Sequence, residues 1–412
     1  MDSTALSEAR LRPAHAATPA LTPRDYAGMG VMVSGGLWMA LIFTAIAPIL
    51  SAMSKALGNG GDGYWIGQLT MTMPDIGIIV GGPLAGFLVD RIGSRMLLFI
   101  SLALYAVAGS AGLFADDGTV MLSTRLILGF AGAGIATSTT ALIGDRFDGQ
   151  MRVRALGYWS AVGAAGGVGS VFVAGQVADL FGGWHGPFAL YLLAVVPLAV
   201  GILALPARPR RIAGVPKAAA SPPFIKLLWP LYLGMIPIYV AVFMTGVQLS
   251  FLLGADHIDS PVTQSWVIGA ASAGSFLGAF VFGFVRPRIG PRGTLLLFIA
   301  LMAAGNILMP LTADPVLMGL GGAMNGMGGG MANPYFAAIL IERAPVAARG
   351  RAIGLLYTAM FFGEFMNPFV VTPLAHVLGI HGAFFAVAAI LAAIGFTIAL
   401  RSTTRQAKGV PA

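Results

Sequence analysis

The sequence predicts an all-α integral membrane protein, with twelve transmembrane helices in two pseudo-symmetric six-helix bundles. Three observations lead there. The chain of 412 residues is 57% hydrophobic, 10% charged and carries 57 glycines, far from the composition of a soluble domain. Apolar runs of about 18 residues or more recur along it, each long enough to cross ~30 Å of hydrocarbon at ~1.5 Å per residue. The third observation is a repeat. The stretch Gly-Phe-Leu-Val-Asp-Arg-Ile-Gly-Ser-Arg from Gly86 to Arg95 returns from Gly283 to Arg292 as Gly-Phe-Val-Arg-Pro-Arg-Ile-Gly-Pro-Arg, 197 positions later.

Taken in order, the spans read as 26–53, 64–89, 95–114, 119–143, 155–178 and 187–205, then 224–254, 263–285, 293–311, 315–341, 352–375 and 382–400. The runs are apolar on every face, so they are helices; barrel strands would alternate polar and apolar residues. The first run is too long for a signal-peptide core and is read as a retained span. The corresponding domain plan is a tail (1–24), a bundle (25–205), a linker (206–223), a second bundle (224–401) and a tail (402–412). The linker holds Arg208, Arg210, Arg211 and Lys217 among prolines and alanines.

Charge sorts by loop. With alternate loops assigned to opposite faces, every Lys and Arg except Lys55 and Arg125 falls in, or within three residues of, the tails, the linker or the even-numbered loops. The other face carries Asp62, Asp116, Asp117, Asp179, Asp256, Asp259 and Asp314. By the positive-inside rule both termini and the linker are cytoplasmic, which suits a multi-pass protein of the cell (inner) membrane. The net charge of +8 therefore reflects topology, and nucleic acid is not expected as a partner. There are no cysteines, and His15, His185, His257, His376 and His381 show no ligand spacing, so neither a metal site nor a cofactor is expected.

The repeat passes a second check. Asp145-Arg146, Arg152, Arg154-Ala155 and Gly157 reappear as Glu342-Arg343, Arg349, Arg351-Ala352 and Gly354 at the same offset. Two six-helix halves follow, each a variation on the other.

Three ionisable residues lie inside spans: Asp75, Arg125 and Glu364. Each costs roughly 2.5 to 3.5 kcal/mol on insertion scales unless it faces a partner or a cavity. Their repeat counterparts are Ser272, Gly322 and Gly167, so the duplicated scaffold does without charge there. From helix rise, Asp75 lies roughly 22 Å, Arg125 roughly 30 Å and Glu364 roughly 20 Å from the basic face. The glycines of span ten (Gly319, Gly321, Gly322, Gly326, Gly328, Gly329 and Gly330) lack the flanking strand and Lys-Ser or Lys-Thr pair of a phosphate loop. They read as a close-packing helix face.

A twelve-span chain with a basic linker and Gly-x-x-x-Asp-Arg-x-Gly-x-Arg after span two (Gly86, Asp90, Arg91, Gly93, Arg95) resembles the major facilitator superfamily. Arg125 to Gly129 is similar to the family's Arg-x-x-x-Gly signature in span four. Its drug and proton antiporters often carry Gly-Pro-x-x-Gly-Gly in span five, where this chain has Ser170-Val171-Phe172-Val173-Ala174-Gly175 and keeps only the last glycine.

The resemblance implies a non-enzymatic secondary transporter that works by alternating access. Proton-coupled export of a small amphipathic organic compound is the leading expectation. Proton-coupled uptake of an organic anion held by Arg125 is the alternative. Asp75, Arg125 and Glu364 are the expected proton or substrate groups, in a monomer that meets substrate, protons and lipid. The implied fold makes spans two and four neighbours, so an Asp75–Arg125 ion pair is expected. Cavity candidates are Trp38, Thr44, Tyr239, Thr245, Gln248, Asn325, Asn333 and Tyr335, with Tyr357 and Asn367 from span eleven. The expected cytoplasmic gate comprises Gly86, Asp90, Arg91, Gly93, Arg95, Asp145 and Arg146. In it, Arg91 and Arg95 would pair with Asp145 or Asp148, Asp90 would accept from a helix N-terminus, and the start of span eleven would be the partner.

Overall fold

Dividing the chain at its polar breaks yields helices almost everywhere. In the computed structural model of the protein, residues 22–57, 62–147, 149–205, 224–345 and 349–406 are described, and no strand occurs among them. The basic linker from Arg208, Asp148, residues 1–21 and residues 407–412 lie outside those residues.

The first half comprises α1 (Pro23–Leu57), α2 (Gly63–Ile92), α3 (Ser94–Leu113), α4 (Gly118–Arg146), α5 (Gly149–Leu180) and α6 (Gly186–Ala204). In the second half α7 (Leu228–Ala255) is followed by a continuous element, Pro261–Leu311, that Gly290 breaks into α8 (261–289) and α9 (291–311). After α10 (Pro315–Arg343), the element Arg349–Gln406 breaks at Gly379 into α11 (349–378) and α12 (380–406). Nine helical segments among the described residues are long and apolar enough to cross a membrane. Dividing two of them at these glycines, and adding the glycine-rich α10, yields the twelve spans expected.

The duplication is visible in backbone geometry. Gly93 and Gly290 reverse the chain with φ of 85° and 71°, and Gly182 and Gly379 with φ of 68° and 72°; both pairs stand 197 positions apart. Positive φ strains any residue with a Cβ, which is why these reversals use glycine. Helix starts repeat too. Asp117 accepts hydrogen bonds from the Thr119 and Val120 amides, and Asp314 accepts from those of Val316 and Leu317. A carboxylate at an N-cap satisfies orphan donors and complements the helix dipole.

Packing seams follow the same offset. A Cβ built on Gly129 of α4 would lie 2.2 Å from the Pro74 carbonyl oxygen of α2, and one on Gly326 of α10 would lie 2.0 Å from the Ala271 carbonyl oxygen of α8. Only glycine permits backbones to approach this closely. The small residues of α10 thus pack helices together, as their composition suggests.

One pair of distortions places the functional site. α1 tightens to a 3-10 turn at Ala47–Ile49, where Pro48 removes a backbone donor, and α7 widens to a π-turn at Met244–Gln248. Ala47 and Met244 are again 197 apart. Both helices therefore lose regular geometry at the same depth, between the halves.

Candidate functional site

The two distorted helices face each other across a cavity of about 200 Å³. Phe43, Thr44 and Ala47 come from α1, Thr245 and Gly246 from α7, and Glu364 from α11. Phe43 and Phe243 meet edge to face, with ring centroids 5.8 Å apart. Thr44 and Ser170 share a hydrogen bond of 2.5 Å on one wall. Glu364 is the charged lining residue. Tyr357, two helical turns nearer the basic end of the same helix, is 46% exposed.

Toward the acidic end the halves are fastened by buried side chains. Gln248 of α7 donates to the side-chain oxygens of Gln68 of α2 (3.0 Å) and Asn367 of α11 (2.8 Å), and accepts from the Tyr64 hydroxyl (3.3 Å). Thr372 donates to Gln68 (2.8 Å), and Asn367 donates to the Val240 carbonyl (2.8 Å). The Ser51 amide donates to Ser250 across the same interface (3.1 Å). Lys55 and Asp259 add a 2.8 Å ion pair, but both side chains are more than 60% exposed. An exposed pair contributes little, whereas an orphaned buried amide costs about 1–3 kcal/mol. The amide network therefore dominates the seal.

Asp75 is fully buried on α2, and neither carboxylate oxygen has a hydrogen-bond partner. Tyr239 of α7 is buried with its hydroxyl likewise unpartnered, and Gly363, beside Glu364, packs on Tyr239.

Arg125 departs from expectation. It does not pair with Asp75. Its guanidinium donates to the Ala108 and Gly109 carbonyls of α3 (3.3 and 2.8 Å) and lies 5.0 Å from the ring centroids of both Phe188 and Tyr191 of α6. Carbonyls at the end of a helix and aromatic faces stabilise a cation without a carboxylate. The side chain thus points into the first bundle, away from the cavity. Arg125→Leu is expected to lower stability by about 2–3 kcal/mol, with Arg125→Lys intermediate because an ammonium cannot fork and stack together. Thermal unfolding in detergent measures both.

Other candidates separate in the same way. Thr44 and Thr245 line the cavity, and Gln248 and Asn367 belong to the seal. Trp38 bonds Ser34 and packs on Tyr105 of α3, while Tyr335 packs on Phe298 of α9 and on Phe336; neither lines the cavity. Asn325 ties α10 to the Ala241 carbonyl of α7 (3.2 Å), and Asn333 is half-buried in the basic half of α10.

At the hinge, Gly86 and Gly93 leave open space around the chain. Asp90 and Asp145 are exposed, and Asp90 makes no hydrogen bond or ion pair among the described residues. Arg91 and Arg95 do not pair with Asp145; they stack on Phe87 (4.5 Å) and Phe99 (4.8 Å). A ring one turn away on the same helix is always within reach, whereas a carboxylate on another helix depends on how the helices are placed. Arg146 closes the last turn of α4. In the second half Arg286 pairs with Glu342 at 2.6 Å.

Sequence reasoning missed Tyr64, Gln68, Thr372 and the Phe43–Phe243 contact. A lone amide such as Gln68 in an apolar run was the available signal, since an uncharged group in a span also demands a partner.

Comparison with known proteins accords with this architecture. The model of the Major Facilitator Superfamily matches residues 32–254 and again 231–412. The methyl viologen resistance protein SmvA of Salmonella typhimurium is 26% identical over 287 residues, covering 68% of this chain and 52% of that protein. This chain thus spans about half the length of that relative. The multidrug efflux pump LfrA of Mycolicibacterium smegmatis is 33% identical over 116 residues, covering 28% of this chain and 23% of the pump. The minor myo-inositol transporter IolF of Bacillus subtilis is 26% identical over 150 residues, covering 34% of each chain. Among solved structures, the nucleoside transporter NupG superposes with a TM-score of 0.72 at 15% identity, over 90% of this chain and 98% of that one. A D-xylose-proton symporter superposes with a TM-score of 0.68 at 16% identity, over 89% and 97%. Likeness at such identities concerns the fold alone. Two matches to one family model, reaching from residue 32 to the end of the chain, make this protein a member of the Major Facilitator Superfamily, whose members are membrane-embedded transporters and not enzymes.

Proposed function

We propose that the protein is a secondary active transporter in which the two halves rock about the central cavity, exchanging protons for a small amphipathic organic compound that is exported. The single observation that carries this reading is the cavity itself: both halves line it, its walls are largely apolar and aromatic, and its charged group is a carboxylate. Such walls suit an amphipathic ligand, and a carboxylate can carry a proton or meet a positive charge. Two relatives named for resistance or efflux support export, while the inositol transporter supports uptake by the same fold. The alternative, uptake of an organic anion held by Arg125, loses its physical basis because Arg125 points away from the cavity.

The basic face is cytoplasmic by the positive-inside rule, in an inner membrane, and the chain works as a monomer. The fastened acidic end then makes this the outside-closed member of the alternating pair. In the opposite member the hinge at Asp90 closes on the start of α11. Asp90→Asn is expected to slow transport at least roughly tenfold, as loss of a charge-assisted hydrogen bond would, with membrane insertion intact; unimpaired initial rates in vesicles would exclude the gate.

The test of function is flux. In proteoliposomes, an imposed pH gradient should drive uphill movement of a lipophilic cation such as tetraphenylphosphonium, and reversing the gradient should reverse it. Flux indifferent to either gradient would leave a uniporter.

A further inference from the structure

The two halves balance charge differently at the basic end. In the first half the loops after α2 and α4 hold five arginines and three acids, Asp90, Asp145 and Asp148. At the 197 offset all five arginines return, but Pro287 and Pro345 stand where Asp90 and Asp148 would, and Arg286 replaces Val89. The second half therefore sets six arginines against one acid, Glu342. Arg286 takes that acid in the 2.6 Å ion pair, and these loops hold no second one.

The surroundings of the α8–α9 reversal differ in the same sense. In the first half Arg91 and Arg95 lie over the rings of Phe87 and Phe99. In the second, Leu296 stands in place of Phe99, and Arg292 instead donates through Nη2 to the Ile398 and Ala399 carbonyls at the end of α12. Arg288 is exposed, and among the described residues it donates only to the Phe284 carbonyl of its own helix, at 2.9 Å. The Phe284 ring meets that of Phe280, which replaces Pro83, with centroids 5.7 Å apart. These rings are 54% and 62% exposed. Four-residue spacing puts Phe280, Phe284 and Arg288 on one face of α8, with Phe284 and Phe280 about 6 and 12 Å deeper in the membrane than the arginine. Ser275 of α8 lines the central cavity, and Phe284 follows it by about two and a half turns, so this face points away from the cavity.

We propose that this face of the second bundle is a binding site for an anionic phospholipid of the leaflet at the basic end. The phosphate sits between Arg288 and Arg292, and an acyl chain lies along Phe284 and Phe280. A guanidinium carries five donors in a fork that matches phosphate, and Arg292 has engaged only one of its nitrogens. Basic clusters at the membrane surface attract anionic headgroups. Rings at hydrocarbon depth give a soluble anion nothing to hold but bury against a lipid chain. The bilayer thus supplies the anion that Pro287 removed from the second hinge, and through Arg292 the lipid joins the α8–α9 turn to the end of α12. The site is separate from the central cavity and does not depend on what the protein carries.

The test uses the whole chain purified in a neutral detergent and titrated with dioleoylphosphatidylglycerol, with bound lipid counted by native mass spectrometry. One phosphatidylglycerol should bind more tightly than any further copies, and dioleoylphosphatidylcholine should not replace it. Arg288→Gln should weaken that lipid roughly tenfold. The double variant Phe280→Ala, Phe284→Ala should weaken it as well, and soluble glycerol phosphate at the same concentration should not displace it. Arg91→Gln, the repeat counterpart, removes the same charge from the first half and should leave the affinity unchanged. Arg292→Gln also loses its bonds to α12; if that variant is not recovered folded, Arg288→Gln decides, since its one bond lies within its own helix. Full affinity in Arg288→Gln overturns the site, and so does an equal loss in Arg91→Gln, which would reduce the effect to diffuse attraction. Displacement by glycerol phosphate, or binding indifferent to the two rings, would show an anion held without its lipid and overturns the proposal too.

Discussion

Gly326→Ala is expected to destabilise the protein by about 3 kcal/mol or more, the upper range for overpacking a close-packed interface. The added Cβ would sit 2.0 Å from the Ala271 carbonyl oxygen, and a backbone atom in the middle of α8 cannot turn aside as a flexible side chain can. The two helices must part, and α10 loses contact with α8 where the cavity wall is formed. Gly129→Ala in the first half meets the Pro74 carbonyl oxygen at 2.2 Å and should behave alike. Gly283→Ala, also in α8, meets nothing within 4 Å and should be neutral or slightly stabilising, since alanine is the better helix former by ~1 kcal/mol. Unfolding temperatures of the three variants in one detergent decide the matter; equal values would show that glycine is not needed at the seams.

Gln248→Leu is expected to open the acidic end. The substitution orphans the buried Asn367 side-chain oxygen and the half-buried Tyr64 hydroxyl of the seal. At about 1–3 kcal/mol for each orphaned group, the sealed arrangement should lose roughly a hundredfold in population relative to the open one. The chain has no cysteine, so a single Ser51→Cys reporter in the seal can be followed with a membrane-impermeant maleimide. Labelling should be far faster in the Gln248→Leu background. An unchanged rate would mean that apolar packing, such as Trp65 against Phe369 at 5.6 Å, holds the end closed without the amides.

Much of the fold was legible in the chain because its determinants are local. Span length, the aspartates that start α4 and α10, and the glycines that reverse the chain are each set by a residue and its near neighbours. The offset of 197 could be read from loop residues alone, and it reappears in φ angles and helix seams that no residue pattern names. The resemblance carried by Asp90, Arg91 and Gly93 led to the right family.

The site was less legible. Asp75 and Glu364 stood out because a carboxyl in an apolar run demands an explanation, yet which of them opens to the cavity depends on how each helix is turned: Glu364 lines it and Asp75 does not. Arg125 looked like a partner for Asp75 because both were charges on neighbouring spans. On helices apolar all round, nothing in the sequence says which way a side chain points. A soluble helix marks its inner face by hydropathy; a membrane helix is apolar toward lipid and toward its neighbours alike. The sequence by itself determined the helical character, order and duplication of the segments, because these follow from hydropathy and backbone freedom. Only the tertiary structure decided that Arg125, Trp38 and Tyr335 turn away from the cavity, that Glu364 lines it, and that Gln68 and Gln248 fasten the halves, because those facts rest on helix azimuth and packing.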